Sequence, residues 1–222
     1  LLMSSLDCFL LVLAFPDSFW LWQLAQADQQ LDAGQRRVVT RRYRRLLQRH
    51  ACFHGQHLQM LSKNASFAGL AQSLADEFPD SVFIICERDA PLAVRSQLRS
   101  LSNARQQLFT DRVCPGFESR LLETLHFYYR NLDSLKQTLP TGRCASIALN
   151  QLSRQPRHSL RMLLEQLSLG SSNALDEALS TLESSDPVRP GTTEPGQRPR
   201  CIEEDAFLDR FQAWRHAPEN RL

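Results

Sequence analysis

The run Val82-Phe83-Ile84-Ile85-Cys86 constrains the fold of this chain more than any other feature. Continuous hydrophobicity with β-branched side chains suits a strand buried on both faces, as in a parallel sheet. Pro79-Asp80 supplies the turn into it, and a helix from Leu92 to about Leu101 follows. A second such segment, Cys144 to Leu149, comes after a long helical stretch from Leu121 to Leu139 that Pro140 and Gly142 end. Strands alternating with helices point to an α/β fold with a parallel sheet.

The rest of the chain reads mostly as helix. Residues 5–30 form a buried, largely helical segment, with Pro16-Asp17-Ser18 as a turn and N-cap. Residues 35–50 carry Val39, Tyr43, Leu46 and His50 at helical spacing, with seven arginines on the other faces, until Gly55 breaks the pattern. His57 to Ser62 reads as a short strand, Phe67 to Phe78 as a helix, and Ser159 to Leu169 as a further amphipathic helix. Residues 186–200 hold four prolines and two glycines and form a loop. Ile202 to Trp214 closes the chain as a helix with Phe207, Leu208, Phe211 and Trp214 on one side.

The chain has 222 residues, enough for a single packed domain over 1–222. A net charge of +2 gives no general attraction to nucleic acid. Phe9 to Phe15 is too short an apolar run to span a bilayer. It lacks the basic flank of a signal peptide, so it is read as a buried helix. The six cysteines are scattered without a close pair, which suits free thiols in a reducing, cytoplasmic compartment.

The chemistry concentrates in Glu77-Phe78-Pro79-Asp80, the apolar run, and Glu87-Arg88-Asp89-Ala90-Pro91-Leu92-Ala93-Val94-Arg95-Ser96. A buried strand delivers Arg88 at its C-terminal edge, where open α/β sheets bind ligands. The following helix offers N-terminal amides to an anion, and Ser96 lies one to two turns into it. An arginine fork with a hydroxyl suits a phosphate.

Phe-Pro-Asp, an apolar strand, Arg-Asp and a serine eight residues after the arginine together resemble the 3'-phosphate-binding element of sulfotransferases that use 3'-phosphoadenosine 5'-phosphosulfate (PAPS). Leu61-Ser62-Lys63-Asn64-Ala65 is similar to that family's strand-end lysine segment. Ile147 to Leu152, Pro156 and Leu167-Ser168-Leu169 follow its later order. The resemblance covers most of residues 58–215. It implies a three-layer, P-loop-like fold with a short parallel sheet and many helices. It also implies sulfuryl transfer from PAPS to a hydroxyl or amine of a carbohydrate or small molecule, without a metal. Arg88 and Ser96 would hold the 3'-phosphate, and Lys63 would neutralise charge at the transferring group.

The departures from that pattern are specific. Phe67 stands where relatives often carry a basic histidine, Ala65 replaces a proline, and Leu149, Asn150 and Gln151 replace a tyrosine and its acidic neighbours. Residues 1–62 contain only Gly34 and Gly55, and no phosphosulfate loop is recognisable there. The expectation is an N-terminally truncated domain that is inactive by itself. The alternative is a non-catalytic, sulfotransferase-like binding domain.

Two other signals weigh less. His50, Cys52, His54 and His57 invite a metal site, but Gly55 interrupts the helix, and basic side chains near a helix C-terminus explain the cluster more simply. The arginine-rich helix could attract an anionic polysaccharide or nucleic acid, although its arginines surround it broadly, as on an ordinary solvated face. No Gly-x-Ser-x-Gly elbow supports hydrolase chemistry.

Overall fold

The fold was obtained as a computed structural model, which describes residues 11–12, 14–55, 59–108 and 116–184 together with Asp209 and Ala213. The described elements are α1 (Phe19–Ala25), α2 (Ala27–Gln30), α3 (Ala33–His54), a 3-10 helix (Ala65–Leu70), α4 (Ala71–Glu77), β1 (Phe83–Glu87), α5 (Ala90–Leu108), α6 (Phe117–Thr138), β2 (Cys144–Ala148), α7 (Leu149–Arg154), α8 (Pro156–Gln166) and α9 (Asn173–Ser184). They divide into two compact units, one of residues 1–81 and 96–135, the other of 82–95 and 136–222. The loop expected at 186–200 lies outside the described residues. So does the helix expected over 202–214, save for Asp209 and Ala213, both helical.

The first unit is helical because its apolar side chains recur at helical spacing. On α6, Phe117, Leu121, Thr124, Tyr128, Asn131 and Leu135 are all buried, a stripe of three- and four-residue steps. Trp22 of α1 meets Phe117 edge to face, with ring centroids 5.7 Å apart, and its indole N–H donates to the Pro16 carbonyl at 2.7 Å. That bond satisfies the one polar atom of a buried Trp. Pro16-Asp17 makes the expected turn, but the Ser18 side chain forms no cap; backbone amides of Leu21 and Trp22 bond its carbonyl instead. α3 begins on a full capping box between Asp32 and Gln35 and ends at Gly55, whose φ of 107° suits glycine.

α3 is tied to α4 by polar contacts. Glu77 Oε2 accepts from the Thr40 hydroxyl at 3.1 Å, and Glu77 Oε1 lies 2.5 Å from Arg44 Nε. The Arg44 guanidinium also donates to the Glu77 carbonyl and stacks 5.1 Å from the Phe78 ring centroid. Residues 59–64, the described part of the stretch expected to hold a strand, form no regular secondary structure. Polar side chains take that backbone elsewhere. Ser62 Oγ is 2.5 Å from the Tyr43 hydroxyl, and Asn64 Oδ1 accepts from the Ser66 amide at 2.9 Å, opening the 3-10 helix.

In the second unit β1 and β2 pair in parallel, from Phe83 opposite Cys144 to Glu87 opposite Ala148. Ala145 and Ile147 pack with Leu163 and Leu167 from α8 and its end, flanked by Val82, Leu152, Leu160 and Leu169. β1 is not buried on both faces as its sequence suggested. Ile85 is buried, but Ile84 is 41% exposed and Cys86 is exposed. The packed cluster gathers on β2, and among the described residues the sheet has two strands, so apolar side chains of β1 on that same face are left uncovered.

The tightest approach in the first unit is at Gly69. A Cβ there would collide with the Ala25 carbonyl and stand 2.8 Å from Cε1 of the Tyr128 ring. Gly69→Ala is therefore expected to destabilise the protein by about 1–3 kcal/mol, the range for overpacking a filled site. Urea unfolding checks it; a midpoint unchanged from wild type would mean that this contact is not as close as described.

Candidate functional site

Arg88 is the first residue beyond β1, and its main chain is fixed from both sides. Before it, Glu87 accepts an ion pair from Lys136 in the last turn of α6, at 2.9 Å. After it, Ala90 and Val94 are 1% and 0% exposed and anchor the first turn of α5. The Arg88 side chain is exposed. A strand that ends in an ion pair and a helix that starts on a buried alanine thus hold an outward-facing guanidinium at the carboxyl edge of a parallel pair, the ligand side of such sheets.

The expectation that the helix amides there would receive an anion needs correction. Asp89 caps α5: its carboxylate accepts from the Leu92 amide at 3.1 Å, and its carbonyl accepts from Ala93 at 2.8 Å. Pro91 has no N–H to give. Of the first three helical residues, only Ala90 keeps an uncommitted donor role, beside a carboxylate that repels a second anion. With its first amides committed or absent, this helix terminus has little to offer an anion. The signal was in the sequence, since Asp followed by Ala-Pro is an N-cap before a proline-bearing first turn.

Ser96 lies on the exposed face of α5, two residues from buried Val94 and two from buried Leu98. Its hydroxyl is turned away from the buried stripe Ala90–Val94–Leu98–Leu101, and it has no partner among the described residues. Lys63 stands not at a strand end but in coil, between Ser62, bonded to Tyr43, and Asn64, which caps the 3-10 helix. Both neighbours are fixed while Lys63 itself is exposed, with no ion-pair partner among the described residues. A cation held by its backbone and left unpaired is available to an incoming anion.

Phe67, at the position where a histidine base was sought, packs its ring 5.1 Å from Tyr43. That position holds α3 against the 3-10 helix and carries no acid–base group. Leu149 opens α7 and is 41% exposed. Among the described residues, no group of three or more His, Cys, Asp or Glu could hold a metal ion, and no helix is long and apolar enough to cross a membrane. His50 and His54 pack with their rings tilted and their centroids 4.3 Å apart on the last turns of α3.

The sulfotransferase family profile matches residues 15–172, well over half of the chain. The chain belongs to the sulfotransferase family. No curated protein and no solved structure matches it. The match enters the chain upstream of α1, well before the lysine segment where the resemblance began, and ends just before α9. It contains Lys63, Arg88 and Ser96. α/β architecture with a short parallel sheet and many helices is thereby joined to a transferase family.

One thiol at the other, amino-terminal end of the strand pair has a distinct environment. Burial pushes the Cys144 thiol up from its ordinary value of 9.0; Lys136 pulls the other way and Glu87 reinforces the rise. Cys52 and Cys86 are exposed. Cys144 is expected to alkylate with iodoacetamide more slowly than Cys52 at pH 8, because the thiolate is the reacting form. The folded protein also holds the Cys144 proton more tightly than the unfolded chain does. Its contribution to stability is intact below 9.0 and lost as pH rises through the raised folded value. Wild type should therefore lose more stability than Cys144→Ala across that alkaline window; parallel pH–stability curves would contradict the assignment.

Proposed function

We propose that this sulfotransferase moves a sulfuryl group from PAPS to a hydroxyl or amine of a carbohydrate or small molecule. Arg88 and Ser96 bind the 3'-phosphate of the donor, and Lys63 meets the charge that develops around the transferring sulfur. The acceptor oxygen or nitrogen forms the new bond to sulfur while the bond from sulfur to the 5'-phosphate oxygen breaks. That oxygen leaves with 3',5'-ADP, and the acceptor proton passes to solvent. Little covalent work falls to the protein in such a transfer, so positioning and charge neutralisation dominate.

The observation that carries this reading is Arg88, set by ion-paired Glu87 and the Asp89-capped helix at the carboxyl edge of a parallel pair, within the matched family region. An exposed arginine fork there suits a phosphate dianion. The unpaired Lys63 supports the electrostatic role without a metal ion. Unpaired Cys52, Cys86 and Cys144 accord with a reducing, cytoplasmic setting.

A second reading has an observation in its favour. Phe67 is committed to packing against Tyr43, and a domain that had lost its base would retain nucleotide affinity without turnover. Calorimetry with 3',5'-ADP tests the part common to both readings. Arg88→Ala is expected to weaken binding by about 1.5–3 kcal/mol and Ser96→Ala by about 0.5–1.5 kcal/mol. Unchanged affinity in Arg88→Ala removes that residue from the donor site. Release of labelled sulfuryl from PAPS to an acceptor then separates the enzyme from the binding domain.

A further inference from the structure

We propose that the outward face of α3 is a binding surface for an acidic polysaccharide, a single extended chain bearing sulfate or carboxylate groups. α3 runs for 22 residues without one Asp or Glu. Two of its seven arginines bond other parts of the fold, and Arg37 Nε donates within the helix to the Ala33 carbonyl at 3.3 Å. Arg36 donates to the Leu31 carbonyl at 2.7 Å, and Arg44 is held by Glu77 and Phe78. The other five, Arg37, Arg41, Arg42, Arg45 and Arg49, are exposed.

Their placement differs from the broad scatter that the sequence suggested. Arg37, Arg41, Arg45 and Arg49 follow one another at four-residue steps, a row rising about 6 Å per step and about 18 Å in all, with Arg42 beside it. Arg41, Arg42, Arg45 and Arg49 have no carboxylate partner among the described residues. Like charges at this spacing repel and weaken the helix that carries them. Packing does not call for them, because α3 is held through Thr40, Tyr43 and Arg44 against Glu77, Phe67 and Phe78. A merely solvated face intersperses both signs of charge.

The geometry favours one kind of polyanion. Guanidinium forks match sulfate and carboxylate oxygens in pairs. A row along one side of one helix addresses charges that follow a line. A duplex presents phosphates on both sides of a groove, so a one-sided row meets only part of them. Single-stranded nucleic acid is held where aromatic platforms alternate with basic groups, whereas here a single exposed aromatic, Phe53, stands at the end of the row and Val38 and Gln48 flank the arginines. With a net charge of +2 the protein exerts little long-range pull on a dense polyanion, which leaves a local, linear match as the source of affinity. Tyr43, which contacts Ser62 beside Lys63, lies on the opposite side of α3, so this surface does not rest on the donor-site reading.

The test is titration of the full chain with a defined heparin oligosaccharide, at low and moderate salt, followed by calorimetry. The wild type should bind, with affinity falling steeply as salt rises. The double variant Arg41→Glu/Arg45→Glu should lose at least about tenfold in affinity and show a shallower salt dependence. Arg41→Lys/Arg45→Lys, with charge kept and circular dichroism as the folding check, should retain most of the binding. Absence of heparin binding by the wild type overturns the proposal, as does equal binding by the Glu double variant. Tighter binding of oligo-dT than of heparin assigns the face to nucleic acid and overturns it equally.

Discussion

The carboxylate of Asp28 organises the first unit. It accepts from the Gln72 amide at 2.8 Å, the Ser73 amide at 3.1 Å, the Ser73 hydroxyl at 2.5 Å and Asn131 Nδ2 at 2.8 Å. One anion thus satisfies the first amides of α4, which no residue of that helix caps, and binds α2 to α4 and α6. Asn131 uses its second N–H on the Ala68 carbonyl, at 2.8 Å, and so fixes the 3-10 helix in the same network. Hydrogen bonds to a charged group are worth about 1.5–3 kcal/mol each. The 3-10 helix opens on Asn64, and Lys63 is the residue before it. The position of the candidate catalytic cation therefore depends on a polar network with no chemical role of its own.

The second unit places its candidate residue by a different constraint. Parallel pairing of β1 with β2 puts the C-terminal ends of both strands on one edge, where Arg88 and the start of α7 emerge. The ion pair between Glu87 and Lys136 and the cap by Asp89 hold the chain before and after Arg88. The same cap consumes a helix amide, and so transfers anion recognition from backbone to side chain. In the proposed donor site, Arg88 is therefore the group at this edge whose removal should weaken binding most.

Much of this was legible in the chain. Five apolar residues after Pro-Asp located β1 to within a residue, and Gly55 marked the end of α3. Arg88 was visible because a strand end before a helix start is a local pattern. What was not legible depends on tertiary contacts. His57 to Ser62 has strand-like composition, yet Tyr43 and Asn64 direct the described part of it into coil through side-chain hydrogen bonds. β1 reads as buried on both faces, but coverage is decided by where α8 packs, and that is on β2. Phe67 could be seen to replace a histidine; that it packs on Tyr43 could not. The Asp28 network joins residues up to 103 positions apart, beyond any local pattern.

The central claim is that the turn from β1 into α5, with Arg88 at its head, receives the donor nucleotide. Amide hydrogen exchange measured with and without saturating 3',5'-ADP tests it most directly. The account predicts slower exchange confined to residues 87–96 and to the Lys63 segment, with the amides of α9 unaffected. Binding of the nucleotide without protection at residues 87–96 would contradict it.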